Sequence, residues 1–215
     1  MRSISVAALA VAALASAASA GVYTVSGSYA GKTDVNQTVS IAKFDASLGT
    51  LQSVDLAISY AINGKFFVEN MSAGNGGYRL NSITWTLGTS GLAQTLVNKS
   101  GGTSTGLVTL AKFDNILDFA GTSGATVNYG DNASFSGSYT GASAEFAGFL
   151  GAGTVDFAVI ANVLTSHTVF GGASTSGFST DVDFHLDATY TYFIPAPSSL
   201  AILGLGGLVA GRRRR

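Results

Sequence analysis

The 215-residue chain contains no cysteine and only two prolines, and charged residues make up just 11% of it. Without cysteine the fold cannot depend on disulfides, even in an oxidising compartment, so it must rely on a hydrophobic core and on hydrogen bonds. Histidine is also scarce, with two residues, which leaves few candidates for a histidine-based catalytic site. These shortages exclude a small disulfide-stapled domain.

Basic residues are few in the central part of the chain. The whole chain has a net charge of −1, but five of its eleven basic residues are Arg2 and Arg212–Arg215 at the two ends. Residues 21–194 keep six basic residues against all twelve acidic ones, a net charge of −6. Such a domain repels the phosphates of nucleic acids, so no nucleic-acid partner is expected.

The composition of residues 21–193 favours strands and turns. Glycine, serine, threonine, valine and phenylalanine are frequent, and strong helix formers in amphipathic spacing are scarce. About ten strands are predicted, which indicates an all-β fold: an antiparallel two-sheet β-sandwich resembling a jelly roll. The stretches predicted as strands include 22–29, 35–44, 51–62, 65–70, 81–87, 106–113, 133–140, 153–164 and 178–193.

Two local features modify this pattern. Asn63-Gly64 separates 51–62 from 65–70, and Asn-Gly is a strong signal for a tight hairpin because both residues tolerate positive φ. The stretch 115–120 is predicted to form one helical turn.

The N-terminus has the features of a secretory signal peptide over residues 1–20. Arg2 provides the positive charge, residues 4–14 are apolar, and residues 18–20 read Ala-Ser-Ala, the small-x-small pattern that a signal peptidase requires. We therefore expect a signal helix, cleavage by signal peptidase between Ala20 and Gly21, and an exported domain.

The C-terminus combines an uncharged run with a basic end. Residues 200–211 carry no charge, and Arg212, Arg213, Arg214 and Arg215 follow. A helix is predicted over 199–211, shorter than the roughly 20 apolar residues that a transmembrane helix needs. The positive-inside rule keeps the arginines in the cytoplasm and exports the domain.

The segment 194–215 resembles a PEP-CTERM sorting signal. The similarity lies in the box Pro195, Ala196, Pro197 and Ser198, followed by the glycine-rich apolar run and the arginine cluster, with Ala196 in place of the glutamate that gives the motif its name. The resemblance implies processing by an exosortase, a membrane transpeptidase-like enzyme of Gram-negative bacteria that produce extracellular polysaccharide. The protein would then reside transiently in the inner membrane and finally at the cell surface or in the extracellular matrix. A permanent tail anchor is the alternative.

The domain itself resembles the choice-of-anchor E family of exported bacterial proteins. The similarity runs in order through "KFDASLGTLQSV", "FVEN", "GAGTVDF", "FST" and "TYTY", from about residue 44 to residue 192. The resemblance implies an all-β exported domain with no assigned activity, no catalytic residues and no cofactor.

The stretch 181–192 places possible metal ligands on one face of a strand. Because side chains alternate along a strand, Asp181, Asp183, His185 and Asp187 share a face. Same-face neighbours lie about 7 Å apart, so one ion can reach two of them but not the whole row. We expect a solvated face that needs no metal. The opposite face would be apolar and consist of Val182, Phe184, Leu186, Ala188, Tyr190 and Tyr192.

Signals for catalysis are weak. Residues 102–106, "GTSTG", match the nucleophile-elbow pattern around Ser104, but a strand and not the required helix is predicted to follow. His167 or His185 could form a triad with a nearby aspartate, but His167 is expected at a strand end or in a loop, as a surface polar group. Glu69 and Glu145 are far apart in sequence, and nothing selects them as the paired carboxyls of a glycosidase. No catalytic residue is therefore predicted.

The lone tryptophan separates two functional hypotheses. If Trp85 is exposed, it offers a stacking platform for a sugar, and the protein is a carbohydrate-binding module for exopolysaccharide. If Trp85 is buried, the first hypothesis stands: a non-catalytic surface or matrix protein. A secreted hydrolase is the third hypothesis.

Overall fold

A computed structural model describes residues 19–194. The predicted sorting box, the arginine cluster and the signal peptide up to residue 18 lie outside the described residues. The strands of the described part are β1 (Ser19–Lys32), β2 (Val35–Ala42), β3 (Thr50–Asn70), β4 (Gly76–Gly91), β5 (Gln94–Thr103), β6 (Val108–Leu110), β7 (Gly124–Thr140), β8 (Thr154–Phe170) and β9 (Ser174–Ile194). Two short 3-10 helices span Ala46–Leu48 and Ala144–Phe149. No helix within residues 19–194 is long and apolar enough to cross a membrane.

The strands form two antiparallel sheets. Sheet A has the order β1-β9-β3-β7, and sheet B has the order β2-β8-β4-β5, with β6 paired to the first residues of β4. β1 pairs with β9, β2 with β8, β3 with β7 and β4 with β5. The chain is thus a long hairpin with its tip between β4 and β5, rolled up in the manner of a jelly roll. The predicted all-β, two-sheet antiparallel sandwich is confirmed.

Strand alternation places the core between the sheets. In β9 the predicted apolar face is confirmed: Val182, Phe184 and Leu186 are buried, as are Ala188 and Tyr190. The intervening residues point outward into solvent because successive side chains lie on opposite faces.

Two buried tyrosines connect the sheets by hydrogen bonds. The Tyr60 hydroxyl, from β3, donates to the Ile160 carbonyl oxygen at 2.7 Å, and the Tyr190 hydroxyl, from β9, donates to the Ala42 carbonyl oxygen at 2.7 Å. Burial raises the pKa of both phenols far above the usual range, so both remain protonated donors. Each ring fills the core while its polar tip satisfies a carbonyl of the facing sheet.

The predicted hairpin at Asn63-Gly64 is wrong. β3 continues through both residues, and Asn63 pairs with Asp181 on one side and Gly130 on the other. Gly64 is opposite Tyr129, whose ring covers it: a Cβ at residue 64 would lie 2.3 Å from the Tyr129 Cζ. Glycine is needed here because the Tyr129 ring lies directly over the backbone, and not because the chain turns.

Replacing Gly64 by alanine is expected to lower the free energy of unfolding by about 1–3 kcal/mol, the usual cost of overpacking. The Tyr129 ring cannot swing aside freely, because it stacks on Trp85 and its hydroxyl bonds the Thr180 hydroxyl at 2.6 Å. Gly88→Ala is the matched control, since the nearest atom to its new Cβ is 3.9 Å away. Urea unfolding of both variants measures the difference, and equal midpoints would contradict the packing role of Gly64.

Other local predictions also differ from the structure. The described residues contain nine strands, against about ten expected. β5 was not predicted, and 115–120 forms an irregular loop with positive φ at Asn115 and Phe119 in place of a helical turn. The expected cleavage site between Ala20 and Gly21 lies inside β1, and β9 extends one residue into the predicted sorting segment.

Candidate functional site

The outer face of sheet A carries an open depression lined by small side chains. The strand register aligns four side chains across the whole sheet: Ser28, His185, Ser59 and Ser134. Together with Asp183 and neighbouring alanines they line a depression of about 530 Å³. A second depression of about 370 Å³ continues along the same strands beside Asp55 and Asp187.

Small side chains create this depression. β1, β3 and β7 present mainly serine and alanine outward, together with Asp55 and Asn132. β9 presents Asp183, His185, Asp187 and Thr189. From Asp183 to Thr189 the groove follows seven residues of β9, which is six steps of about 3.3 Å or about 20 Å. We call this surface the polar groove. The name refers to its hydroxyl, imidazole and carboxylate groups, which stand among alanines and other apolar atoms that make up most of its surface. No lysine or arginine lines it.

The four residues considered as metal ligands do not converge on one point. The Lys32 ammonium donates to the Asp181 carboxylate at 2.5 Å. His185 Nε2 lies 3.2 Å from Asp187 Oδ2, and the Ser26 hydroxyl donates to Asp187 Oδ1 at 2.5 Å. Within residues 19–194 no group of three histidine or acidic side chains is arranged to hold a metal ion.

Calcium or zinc is therefore expected to leave the thermal midpoint unchanged relative to a chelator. A bound ion at a hundredfold excess over its dissociation constant would add about 2.7 kcal/mol to the unfolding free energy. In a domain of this size that is a shift of several degrees, so a site would be visible. A metal-dependent rise that Asp183→Asn with Asp187→Asn abolishes would contradict this expectation.

The polar groove brings serine, histidine and aspartate together, but no serine hydroxyl is hydrogen-bonded to His185 within residues 19–194. Acyl transfer needs a serine hydrogen-bonded to its base, and donors for the oxyanion. The side-chain contact recorded for His185 is to Asp187, and not to the hydroxyl of Ser28 or Ser59. β9 pairs with β1 on one side and with β3 on the other, so its backbone N–H groups are used within the sheet. The backbone of β9 therefore contributes no free oxyanion donor to this groove.

The other catalytic candidates have structural roles or lie apart. Ser104 is exposed between β5 and β6, so the helix that a nucleophile elbow requires is missing there. His167 is half-buried in β8 and not on a loop, its ring lies between Phe66 and Phe178, and its Nε2 is 2.9 Å from the Ser176 hydroxyl. It packs the end of the core.

The two glutamates lie at opposite ends of the sandwich. Glu69 pairs with Gly124 at the first residue of β7, whereas Glu145 follows the last residue of β7 in a 3-10 helix. Glu69 is buried under the loop 111–123, where its Oε2 accepts a hydrogen bond from the Phe119 N–H at 2.8 Å. They cannot act as a glycosidase pair, since such carboxyls lie within about 10 Å of each other.

Trp85 belongs to the core. Its side chain is 6% exposed, its ring stacks on Tyr129 with centroids 5.9 Å apart, and Gly101 on β5 lies against the indole. No open ring face remains for a ligand. The hypothesis that Trp85 stacks on a sugar is therefore wrong for the folded domain.

The fluorescence of the single tryptophan checks this placement. In the native protein we expect a blue-shifted emission maximum and weak quenching by acrylamide, because the indole is shielded from water. Denaturation in urea should shift the emission to longer wavelength and make the quenching strong. An emission maximum and quenching that do not change on unfolding would contradict the buried position.

The serines of the polar groove were not recognised in the sequence. Ser28, Ser59 and Ser134 are separated by long stretches of chain, and only the pairing of β1, β9, β3 and β7 aligns them with His185. Alternation within β9 showed that Asp183 and His185 share a face, but it could not show which residues flank them.

Comparisons with known proteins do not place the chain in a family. No family model and no curated protein matches it. Three structures of infectious bursal disease virus are similar at 10% identity: the Gx strain (TM-score 0.21, covering 91% of this chain and 47% of that one), the T13 viral particle (0.16, 91% and 45%) and the Gt strain (0.12, 97% and 53%). The chain spans about half the length of these proteins, and TM-scores this low do not establish a shared fold.

Proposed function

We propose that this protein is a non-catalytic, exported β-sandwich domain that an exosortase-type system sorts to the cell surface or extracellular matrix. The observation that carries the proposal is the pairing of β1 with β9 over their whole length, from Ser19 opposite Ile194 to Lys32 opposite Asp181. Both ends of the domain therefore leave from one corner, and the Pro-Ala-Pro-Ser box follows directly after Ile194. This geometry suits a domain held at a membrane by its tail.

The proposal assigns no catalytic role to the polar groove. Its serines and its histidine make no nucleophile–base hydrogen bond among the described contacts, and its backbone donors are used within the sheet.

The apolar run of residues 200–211 is short and contains glycine, so it suits a transient signal better than a permanent anchor.

Removing the exosortase-type enzyme from the native host tests the sorting. The full-length protein should then accumulate in the inner membrane, because the segment after Ile194 is no longer processed. If fractionation shows the same distribution with and without the enzyme, the tail is a permanent anchor and the proposal fails.

Binding of exopolysaccharide by the polar groove is the second candidate function. The groove is long and open, and its hydroxyl, imidazole and carboxylate groups suit a polyhydroxylated chain. Its three carboxylates, Asp55, Asp183 and Asp187, disfavour a polyanionic polymer. This candidate no longer depends on Trp85.

A blocking variant tests this candidate on the host's purified exopolysaccharide. Ser59→Tyr fills the floor of the groove and should abolish retention of the protein on immobilised polymer. Thr86→Tyr is the control, because Thr86 is an exposed residue of β4 on the outer face of sheet B. Equal retention of both variants would exclude the groove as the binding surface.

A further inference from the structure

An apolar patch interrupts the polar outer face of sheet A where the two chain ends leave it. Val22 is 62% exposed, Phe193 46% and Ile194 41%, although each lies in a strand of this sheet. Leu48, 43% exposed, lies in the 3-10 helix just before β3. We call these four residues the terminal corner.

The strand register brings the members of the terminal corner together. Val22 is opposite Thr191, so Phe193 is its diagonal neighbour across β1 and β9, within reach of its side chain. Phe193 also pairs with Thr50, two residues after Leu48. Val22 and Phe193 therefore share the outer face at this end of the sheet. Leu48 and Ile194 lie at the same end, with Ile194 on the opposite face of β9 from Phe193.

Half-buried tyrosines lie beneath this patch. The rings of Tyr23 and Tyr192 have centroids 5.9 Å apart, and both contact Phe44 in the core. Tyrosines with an apolar body and a polar tip are enriched at the boundary between lipid and water. The terminal corner thus has an apolar surface supported by amphipathic rings.

The position of the tail limits how far this corner can lie from a membrane. Residue 200, where the uncharged run begins, is six residues after Ile194. A fully extended chain spans at most about 22 Å over six residues. Once residues 200–211 are inserted, the terminal corner cannot lie beyond this distance from them, whereas the opposite end of the sandwich can.

We propose that the terminal corner is a lipid-contact surface that seats the domain on an uncharged phospholipid surface while the tail is in the membrane. The inference rests on the proposed sorting function, which supplies the inserted tail. The four residues of the corner carry no charge, and the nearby Asp45 and Lys43 balance each other, so the corner carries no net positive charge to attract anionic headgroups. Zwitterionic phosphatidylcholine is the appropriate probe.

The absence of cysteine allows a site-specific test. Phe193→Cys and Phe170→Cys are each labelled with the polarity-sensitive fluorophore NBD in the chain from Gly21 to Arg215, which lacks the apolar signal segment, and reconstituted in phosphatidylcholine vesicles. Phe170 is the matched control, since it is 43% exposed and ends β8 at the opposite end of the sandwich. A label at position 193 should show a blue-shifted emission and be quenched by nitroxide-bearing lipids. A label at position 170 should show neither effect.

Vesicle flotation separates the two proposals. If the chain floats with the vesicles but the label at position 193 behaves like the label at position 170, the lipid-contact surface is refuted and the inserted tail stands. If the chain does not float, both proposals are overturned. Far-UV circular dichroism of both variants verifies that the fold is intact.

Discussion

Replacing Tyr190 by alanine is expected to lower the free energy of unfolding by about 3–5 kcal/mol, the usual cost of truncating a large buried aromatic residue. The ring is fully buried in β9 and packs against Tyr23, Phe44 and Phe149. The substitution also removes the hydroxyl that bonds the Ala42 carbonyl of sheet B. Because domains are stable by only about 5–15 kcal/mol, urea denaturation should show a large fall in the midpoint.

Tyr190→Phe separates packing from hydrogen bonding. It keeps the ring and removes only the donor to Ala42, so the expected loss is about 1–3 kcal/mol, the cost of leaving a buried acceptor unsatisfied. If the alanine and phenylalanine variants were equally stable, the aromatic packing between the two sheets would not hold this end of the core together.

Ending the chain after Ile194 is expected to change the location of the protein completely. The truncated chain keeps all of residues 19–194, which form the domain, so the domain should fold. The signal peptide should still export it. It lacks the sorting box, the apolar run and the arginines, so it should appear in the soluble exported fraction. Fractionation and immunodetection measure the change.

A charge-preserving variant is the control for this truncation. Replacing all four arginines, 212–215, by lysine keeps the positive charge that holds the C-terminus in the cytoplasm. The lysine variant should therefore still insert in the membrane. If the truncated chain remained membrane-bound, another part of the protein would be responsible for its attachment.

Strict alternation made β9 predictable. Between Asp181 and Tyr190 polar and apolar residues alternate, a period that only a strand with one buried face satisfies. The structure buries the apolar set and exposes most of the polar set. The two-sheet architecture was predictable for the same reason, because several stretches repeat this pattern between turn residues.

Glycine was the main source of error. Asn63-Gly64 has the sequence of a hairpin turn, but Gly64 lies in the middle of a 21-residue strand under the ring of Tyr129. Gly101 likewise lies against the Trp85 indole, within the strand β5 that was not predicted. A glycine in a turn and a glycine that accommodates a ring from the next strand look the same in the sequence, because strand pairing decides between them.

The polar groove could be predicted only in part. His185 and Asp183 were placed on one face by alternation, whereas Ser28 and Ser59 joined them through pairing between residues more than 100 positions apart along the chain. Trp85 was predictable in part. Alternation puts it on the same face as Ile83 and Leu87, and the structure buries this face. Only the position of Tyr129 shows what covers its ring.

The intact mass of the protein isolated from the cell surface or matrix tests the proposed function most directly. Sorting predicts a chain that begins at Gly21 and has lost the arginines at 212–215 through cleavage in the segment that follows β9. The expected mass is therefore that of a chain shortened at both ends. A surface protein that retains Met1, or one that retains all four C-terminal arginines, would contradict export by a cleaved signal or processing of the tail, respectively.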